Sequence, residues 1–348
     1  MLNFTLVNSV PSKHLTYAPD VMKKLIVCLT FFLGTAVYPQ LNDANLVAEN
    51  DTPVVSRSNK AIATASPEIK NYTEDELLKA ISSANAETKI AIAEELVERK
   101  SPKIADAFSK LLTNDDVAER KIGVISYQTN AASELYVAVS HQKEKADRKR
   151  YYERTTTKGL QKELKGMFGR DYDTKWTLAE TDACLAKLTA MALAENNIAP
   201  RTLNTIFYTN DFKSKNYARV KYFAQKYPTA EILATLANFK NPADISYLTK
   251  HAQASYLAYS VYPHAAFFPS LQMNVDKDFE NKDFQNAITA YRNAESKAVL
   301  EKICRNICNG NAVKANRDDK LFQLYSIIEK RNCRTYDSVL KKIDKLML

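Results

Sequence analysis

Glycine is nearly missing from this chain, with six residues among 348. A phosphate cradle needs several backbone amides turned toward one point, and neither GxGxxG nor GxxxxGKS/T occurs. Folds rich in sheet and tight turns are disfavoured on the same ground. Histidine is scarce too: there are four, none in an HExxH arrangement, and the five cysteines show no paired CxxC spacing. No metal site or cofactor is expected. There is no GxSxG elbow for a serine nucleophile. Paired carboxylates such as Glu94-Glu95 and Asp318-Asp319 are adjacent on helices, point different ways and read as solvated surface. The composition therefore predicts a protein without catalytic machinery. An unrecognised hydrolase would need two ionisable groups converging in a cleft.

Long apolar runs are also wanting, and the exception is informative. Lys23 and Lys24 precede an apolar run, Leu25 to Leu33, interrupted only by Thr30 and followed by Gly34-Thr35-Ala36. The run falls well short of the ~20 residues that a membrane span needs. The pattern is that of a secretory signal peptide over residues 22–40, cleaved after Ala36 or before Gln40. Residues 1–21 have mixed polarity and no period, so translation is expected to begin at Met22. An exported protein, periplasmic or secreted, is expected, and its formal charge falls from +9 to +7 with residues 1–40 removed. Of the cysteines left, Cys184, Cys304, Cys308 and Cys333, either one bridge or buried free thiols would suit the compartment.

Residues 41–72 mix polar residues, proline and short apolar pieces, as a flexible tether does. Order is expected from Thr73, where Thr73-Glu74-Asp75-Glu76 forms a capping box. Leu77, Leu78 and Ile81 begin an apolar stripe. A second helix carries Ile90, Ala93, Leu96 and Val97, and a third opens with Ser101-Pro102 as N-cap and first helical residue. The heptapeptide Ala86 to Ile92 (AETKIAI) recurs 32 residues later as Ala118 to Val124 (AERKIGV), each copy after a Leu-Leu pair. A period of that length is one helix hairpin, whose apolar face must be covered by a neighbour. A fainter echo runs through Ile232, Leu233, Leu236 and Phe239, the turn Asn241-Pro242-Ala243-Asp244, then Ile245, Leu248 and Tyr256. Apolar stripes at Leu185, Leu188 and Ala192, at Leu321, Leu324, Tyr325 and Ile328, and at Val339, Leu340, Ile343 and Leu346 are helical, and no alternating run predicts a sheet.

Over residues 74–126, and more loosely over 229–271, the chain resembles the HEAT-like helical repeats. The resemblance implies an all-α fold, an α-solenoid of stacked helix hairpins spanning residues 73–348, whose concave face holds an extended partner. A non-catalytic binding or scaffold protein with a protein or peptide partner is the function expected of it.

Two segments stand out as binding candidates. Residues 141–170 hold ten Lys or Arg against four Asp or Glu, as a basic helix and loop inserted near 141–175. Arg148, Lys149, Arg150 and Arg154, with Tyr151 and Tyr152, would suit a polyanion such as an envelope glycan or nucleic acid, bound through residues 143–170. A long solvated helix has the same composition. The second segment, between Phe207 and Phe268, holds fourteen of the thirty-four aromatic residues. Within it Tyr256, Tyr259, Tyr262, His264, Phe267 and Phe268 cluster around Pro263 and Pro269, which are expected to break a helix. They suit either a recognition surface or a plug between stacked hairpins.

Overall fold

The structure is a computed structural model and describes residues 69–122, 125–155, 157–159, 161–162, 173–210, 212–310 and 314–347. The chain divides into two units, Met1–Asp51 and Thr52–Leu348, and every described residue belongs to the second. The start-site, signal-peptide and most of the tether readings lie outside the described residues, as does most of the loop beyond the basic helix.

The described residues are mostly helical. They begin with α1 (Glu74–Ala80), α2 (Ala86–Glu98) and α3 (Ile104–Leu111), then the strands β1 (Val117–Ile122) and β2 (Ile125–Asn130). Next come α4 (Ala131–Arg154), α5 (Leu178–Ala194), α6 (Pro200–Thr209), α7 (Tyr217–Lys226), α8 (Ala230–Asn238) and α9 (Ile245–Lys250). The last are α10 (Tyr256–Val261), α11 (Phe268–Asp278), α12 (Lys282–Ala290), α13 (Ala294–Asn309), α14 (Lys314–Lys330) and α15 (Asp337–Met347). The capping box at Thr73 is formed, with Thr73 Oγ1 accepting from the Glu76 amide and Glu76 accepting from the Thr73 amide. Ser101 accepts from the Lys103 amide instead of opening a helix, and α3 begins two residues later than the sequence suggests.

Packing obeys one rule from α2 to α14. Each even-numbered helix packs on the next even-numbered one: α2 on α4, α4 on α6, α6 on α8, α8 on α10, α10 on α12, and α12 on α14. Among the odd-numbered helices α3 packs on α5, α11 on α13 and α13 on α15. The faces that meet are apolar: Leu96 and Val97 of α2, Leu135 and Val139 of α4, Leu203 and Ile206 of α6, Ile232 and Leu236 of α8, and Ile288 of α12 are all buried. Each such side chain contributes about 1.5–3 kcal/mol when fully buried, so contact along the series holds the chain in order.

The turns that leave α2, α8, α12 and α14 share a device that a glycine-poor chain has to improvise. Lys100, Lys240, Arg292 and Asn332 adopt left-handed conformations, with φ of 60°, 51°, 55° and 46°. After α2 the Lys100 amide donates to Val97 O and the Ser101 amide to Leu96 O, both at 2.9 Å, which satisfies the last carbonyls of the helix. A side chain in this region costs about 1 kcal/mol. The next residue offsets part of this cost by capping the succeeding helical turn: Asn241 accepts from the Ala243 amide and Asn293 from the Ser296 amide.

The expected 32-residue repeat does not survive as a structural repeat. Ala86–Ile92 lies on α2, but its copy from Ala118 falls on β1, which pairs antiparallel with β2 in a register that sets Val117 against Asn130 and Arg120 against Tyr127. The expectation of no sheet is corrected with it. Around the second copy the sequence concentrates Val117, Ile122, Val124, Ile125, Tyr127 and Thr129, β-branched and aromatic residues that favour strands, whereas the first copy leads into Leu96 and Val97 at helical spacing.

Candidate functional site

A cluster of ionisable groups, with Lys89 and Glu134 buried and Arg120 and Glu94 half-buried, lies where the β1–β2 hairpin meets α2 and α4. Strand alternation divides the hairpin in two. Val117, Glu119, Lys121, Ser126 and Gln128 are exposed, while Ala118 and Thr129 are buried and Arg120 and Tyr127 half-buried. Arg120 Nη2 donates to Glu94 Oε1 of α2 at 2.5 Å. Glu134, on the first turn of α4, is 7% exposed and faces the same guanidinium. Burial raises the pKa of Glu134, and hydrogen bonds from Thr129 and Tyr127 with the charge of Arg120 offset this only in part. Burial likewise raises that of Glu94, against the pull of Arg120 and with a push from Glu134. One turn along α2, Glu98 Oε1 accepts from Gln142 Nε2 at 2.7 Å and lies 3.7 Å from Lys145 Nζ. Gln142 is in turn held by Thr174 Oγ1 at 2.6 Å. His141 has its pKa pushed down by burial, helped by Lys145 and Arg148.

The base of the hairpin is anchored on both strands. Asp116, just before β1, pairs with the buried Lys89 of α2 at 2.5 Å. Asn130 ends β2 fully buried: its Oδ1 caps α4 through the Ser133 amide at 2.9 Å and accepts from Thr202 Oγ1 of α6 at 3.1 Å. Both carboxyls are thus held above the ordinary carboxylate range, chiefly by burial. Glu94, expected to be solvated surface, is partly covered: its side chain is 36% exposed and is paired with Arg120 of the hairpin, which the sequence pattern does not show. Glu95 does point elsewhere, to Arg99 Nε at 2.8 Å.

The predicted basic site begins on the distal half of α4, where Lys143, Lys145, Arg148 and Arg150 face carboxylates. Arg150 pairs with Asp147 at 2.6 Å and Arg148 lies 3.7 Å from Glu144, both within the helix. Lys143 reaches Asp182 of α5 at 2.7 Å. Lys149 is half-buried and donates to Thr174 O at 3.4 Å. Tyr151 and Arg154 are exposed and Tyr152 is half-buried.

The aromatic group is brought together, but inward. Tyr256, Tyr259, Phe267 and Phe268 are buried, which corrects their reading as a recognition surface; Tyr262 and His264 are half-buried. Tyr259 and Phe267 stack at 4.2 Å with rings 9° apart, and Tyr256 meets Phe284 of α12 edge-on at 5.1 Å. Their hydroxyls are satisfied, Tyr256 by Asp278 Oδ2 at 2.6 Å and Tyr259 by Leu248 O at 3.2 Å. Burial pushes the Tyr259 phenol up to about 12. Pro263 lies in the break after α10, whereas Pro269 sits in the first turn of α11 and opens that helix. Cys184, Cys304, Cys308 and Cys333 are free thiols, and burial raises Cys304 to about 11.

Comparison with protein-family models, with curated proteins and with solved structures gave no match. No described helix is long and apolar enough to cross a membrane.

Proposed function

We propose that the chain is an exported, non-catalytic helical-repeat protein, an α-solenoid of the HEAT-like kind, that holds a protein or peptide partner along its stacked helices. The observation that carries this reading is the unbroken succession in which each even-numbered helix from α2 to α14 packs on the next. Units that touch only their neighbours bury a continuous core and leave an extended surface for a partner. The recurrent left-handed turn after α2, α8, α12 and α14 supports the same reading, since it hands the chain from one helix of a pair to the other. A polyanion partner is less well supported, because Lys143, Lys145, Arg148 and Arg150 already face carboxylates.

The test is capture from cell-envelope extract by residues 41–348 at low and at moderate salt. Retention of a discrete protein at moderate salt supports the proposal. Retention only of glycan or nucleic acid that washes off with salt contradicts it and favours the basic helix as the working surface.

A further inference from the structure

Charge is divided unevenly between the two ends of the stacked helices. The connections that leave the even-numbered helices from α6 to α14, residues 210–216, 239–244, 262–267, 291–293 and 331–336, carry six Lys or Arg and two Asp. The helix turns beside them cancel, with Arg219, Lys297 and Lys330 against Glu295, Glu329 and Asp337. The connections that leave the odd-numbered helices from α5 to α11 hold Glu195 and Glu280 and no Lys or Arg, and the turns beside them set Arg201, Lys226, Lys250, Lys277 and Lys282 against Glu231, Asp276, Asp278 and Asp283. One edge is therefore basic and the other close to neutral.

The basic connections lie side by side. Asn241 Nδ2, after α8, donates to the hydroxyl of Tyr217, after α6, at 2.8 Å. Helix α9 packs on residues 265–267, and Tyr291 Oη, after α12, donates to His264 O, after α10, at 2.9 Å. The Arg292 amide donates to Tyr336 Oη, after α14, at 2.8 Å. Lys213, Lys215, Lys240, Arg292 and Arg334 are exposed along this row and, among the described residues, none pairs with a carboxylate. Arg331 is half-buried and donates to the neutral Thr289 Oγ1 and Asn286 O. Asp244 is buried and paired with Lys221 at 2.8 Å, so it does not offset them.

We propose that this edge holds an acidic, extended segment of the protein or peptide partner, which rests on the reading of the chain as a binding protein. Packed helices stand about 9 Å apart and an extended peptide rises about 3.3 Å per residue, so carboxylates at every third residue fall in step with successive connections. A lipid surface is taken with apolar side chains that insert, and single-stranded nucleic acid with exposed rings that stack. Among the described residues these connections expose no large apolar side chain.

Fluorescence anisotropy with the full chain tests the edge. The probe is a labelled peptide of about fifteen residues, with Glu at every third position among Gly and Ser. Binding is expected at low salt, at least about tenfold weaker at moderate salt, and absent for the peptide with Gln in place of Glu. Exposed pairs contribute little singly, so the variant combines Lys213→Glu, Lys215→Glu and Arg334→Glu with Lys240→Gly and Arg292→Gly, the last two at left-handed positions that glycine adopts freely. It should bind at least about tenfold more weakly, whereas Arg150→Glu/Arg154→Glu on α4 should bind as the wild type does. If the combined variant loses its unfolding transition, Lys240→Gly/Arg292→Gly alone decides, with a loss of about threefold expected. No binding of the Glu peptide, or binding that the edge variants leave unchanged, overturns the proposal. Tighter binding of phosphatidylglycerol vesicles or of oligothymidylate, lost in the same variants, overturns it in favour of lipid or nucleic acid. Capture of a discrete protein from envelope extract tests the parent reading separately.

Discussion

Two buried seams of this molecule solve the same problem in opposite ways. Between α10, α11 and α12 the chain buries rings, and each phenol finds a fixed partner: Tyr256 on Asp278, Tyr259 on Leu248 O, Tyr291 on His264 O. Between α2, α4 and the hairpin it gathers charges, two carboxyls about one guanidinium, with Glu134 buried and Glu94 partly exposed. The first seam is stabilised by area and shape, and its hydroxyls stay protonated through the physiological range. The second depends on one guanidinium shared between two carboxyls whose pKa values are raised by burial. Apolar stacking and charge pairing are thus allotted to different places along one series of helices.

The contrast is broken most severely at the aromatic seam. Phe267→Ala removes a fully buried ring stacked on Tyr259 and should cost about 3–5 kcal/mol in chemical denaturation, by about the same amount at pH 5.5 and pH 8. A smaller loss would mean that the cavity collapses freely. At the charged seam, Arg120→Ala leaves Glu94 and Glu134 facing each other; with the pair partly exposed, the expected cost is about 2 kcal/mol near pH 7. The sign of its pH dependence sharpens the comparison. Both carboxyls have folded pKa values above their unfolded ones, so their unfavourable contribution is relieved as pH falls through the folded values. The penalty of Arg120→Ala should shrink on acidification, and a penalty that grew would refute the charge count.

Smaller effects test the local devices. Lys240→Gly relieves a left-handed side chain at the end of α8 and should raise stability by about 0.5–1 kcal/mol; no gain in denaturation midpoint would mean the Lys240 side chain contributes contacts of its own. Ser133 Oγ is buried without a hydrogen-bond partner, so Ser133→Ala should be neutral or stabilising by up to about 1 kcal/mol. A clear loss would reveal a partner for the hydroxyl.

How far these regions are legible in the sequence depends on the range of the forces involved. Helical stripes and caps are local, and Leu188 with Ala192, Leu324 with Ile328, and the Thr73 box all stand where spacing puts them. The aromatic group is visible as a group, but its direction is not. Orientation depends on α8 and α12 packing on α10, contacts that a stretch from Tyr256 to Phe268 does not encode. The charged seam escapes the sequence pattern altogether, because Glu94, Arg120 and Glu134 come from three elements and because a heptapeptide likeness draws a strand into a helix. One signal is present: Val117 to Thr129 carries a β-branched and aromatic density that outweighs the likeness.

The claim that most needs testing is that the helices form a series of neighbour contacts. Residue-resolved native-state hydrogen exchange on Phe267→Ala measures this directly. The account predicts a graded loss, deepest in α10 to α12 and fading toward α2 and α4, as nearest-neighbour stacking requires. Equal loss of protection from α2 to α15 would mean a single cooperative core, and the stacked-helix account would be wrong.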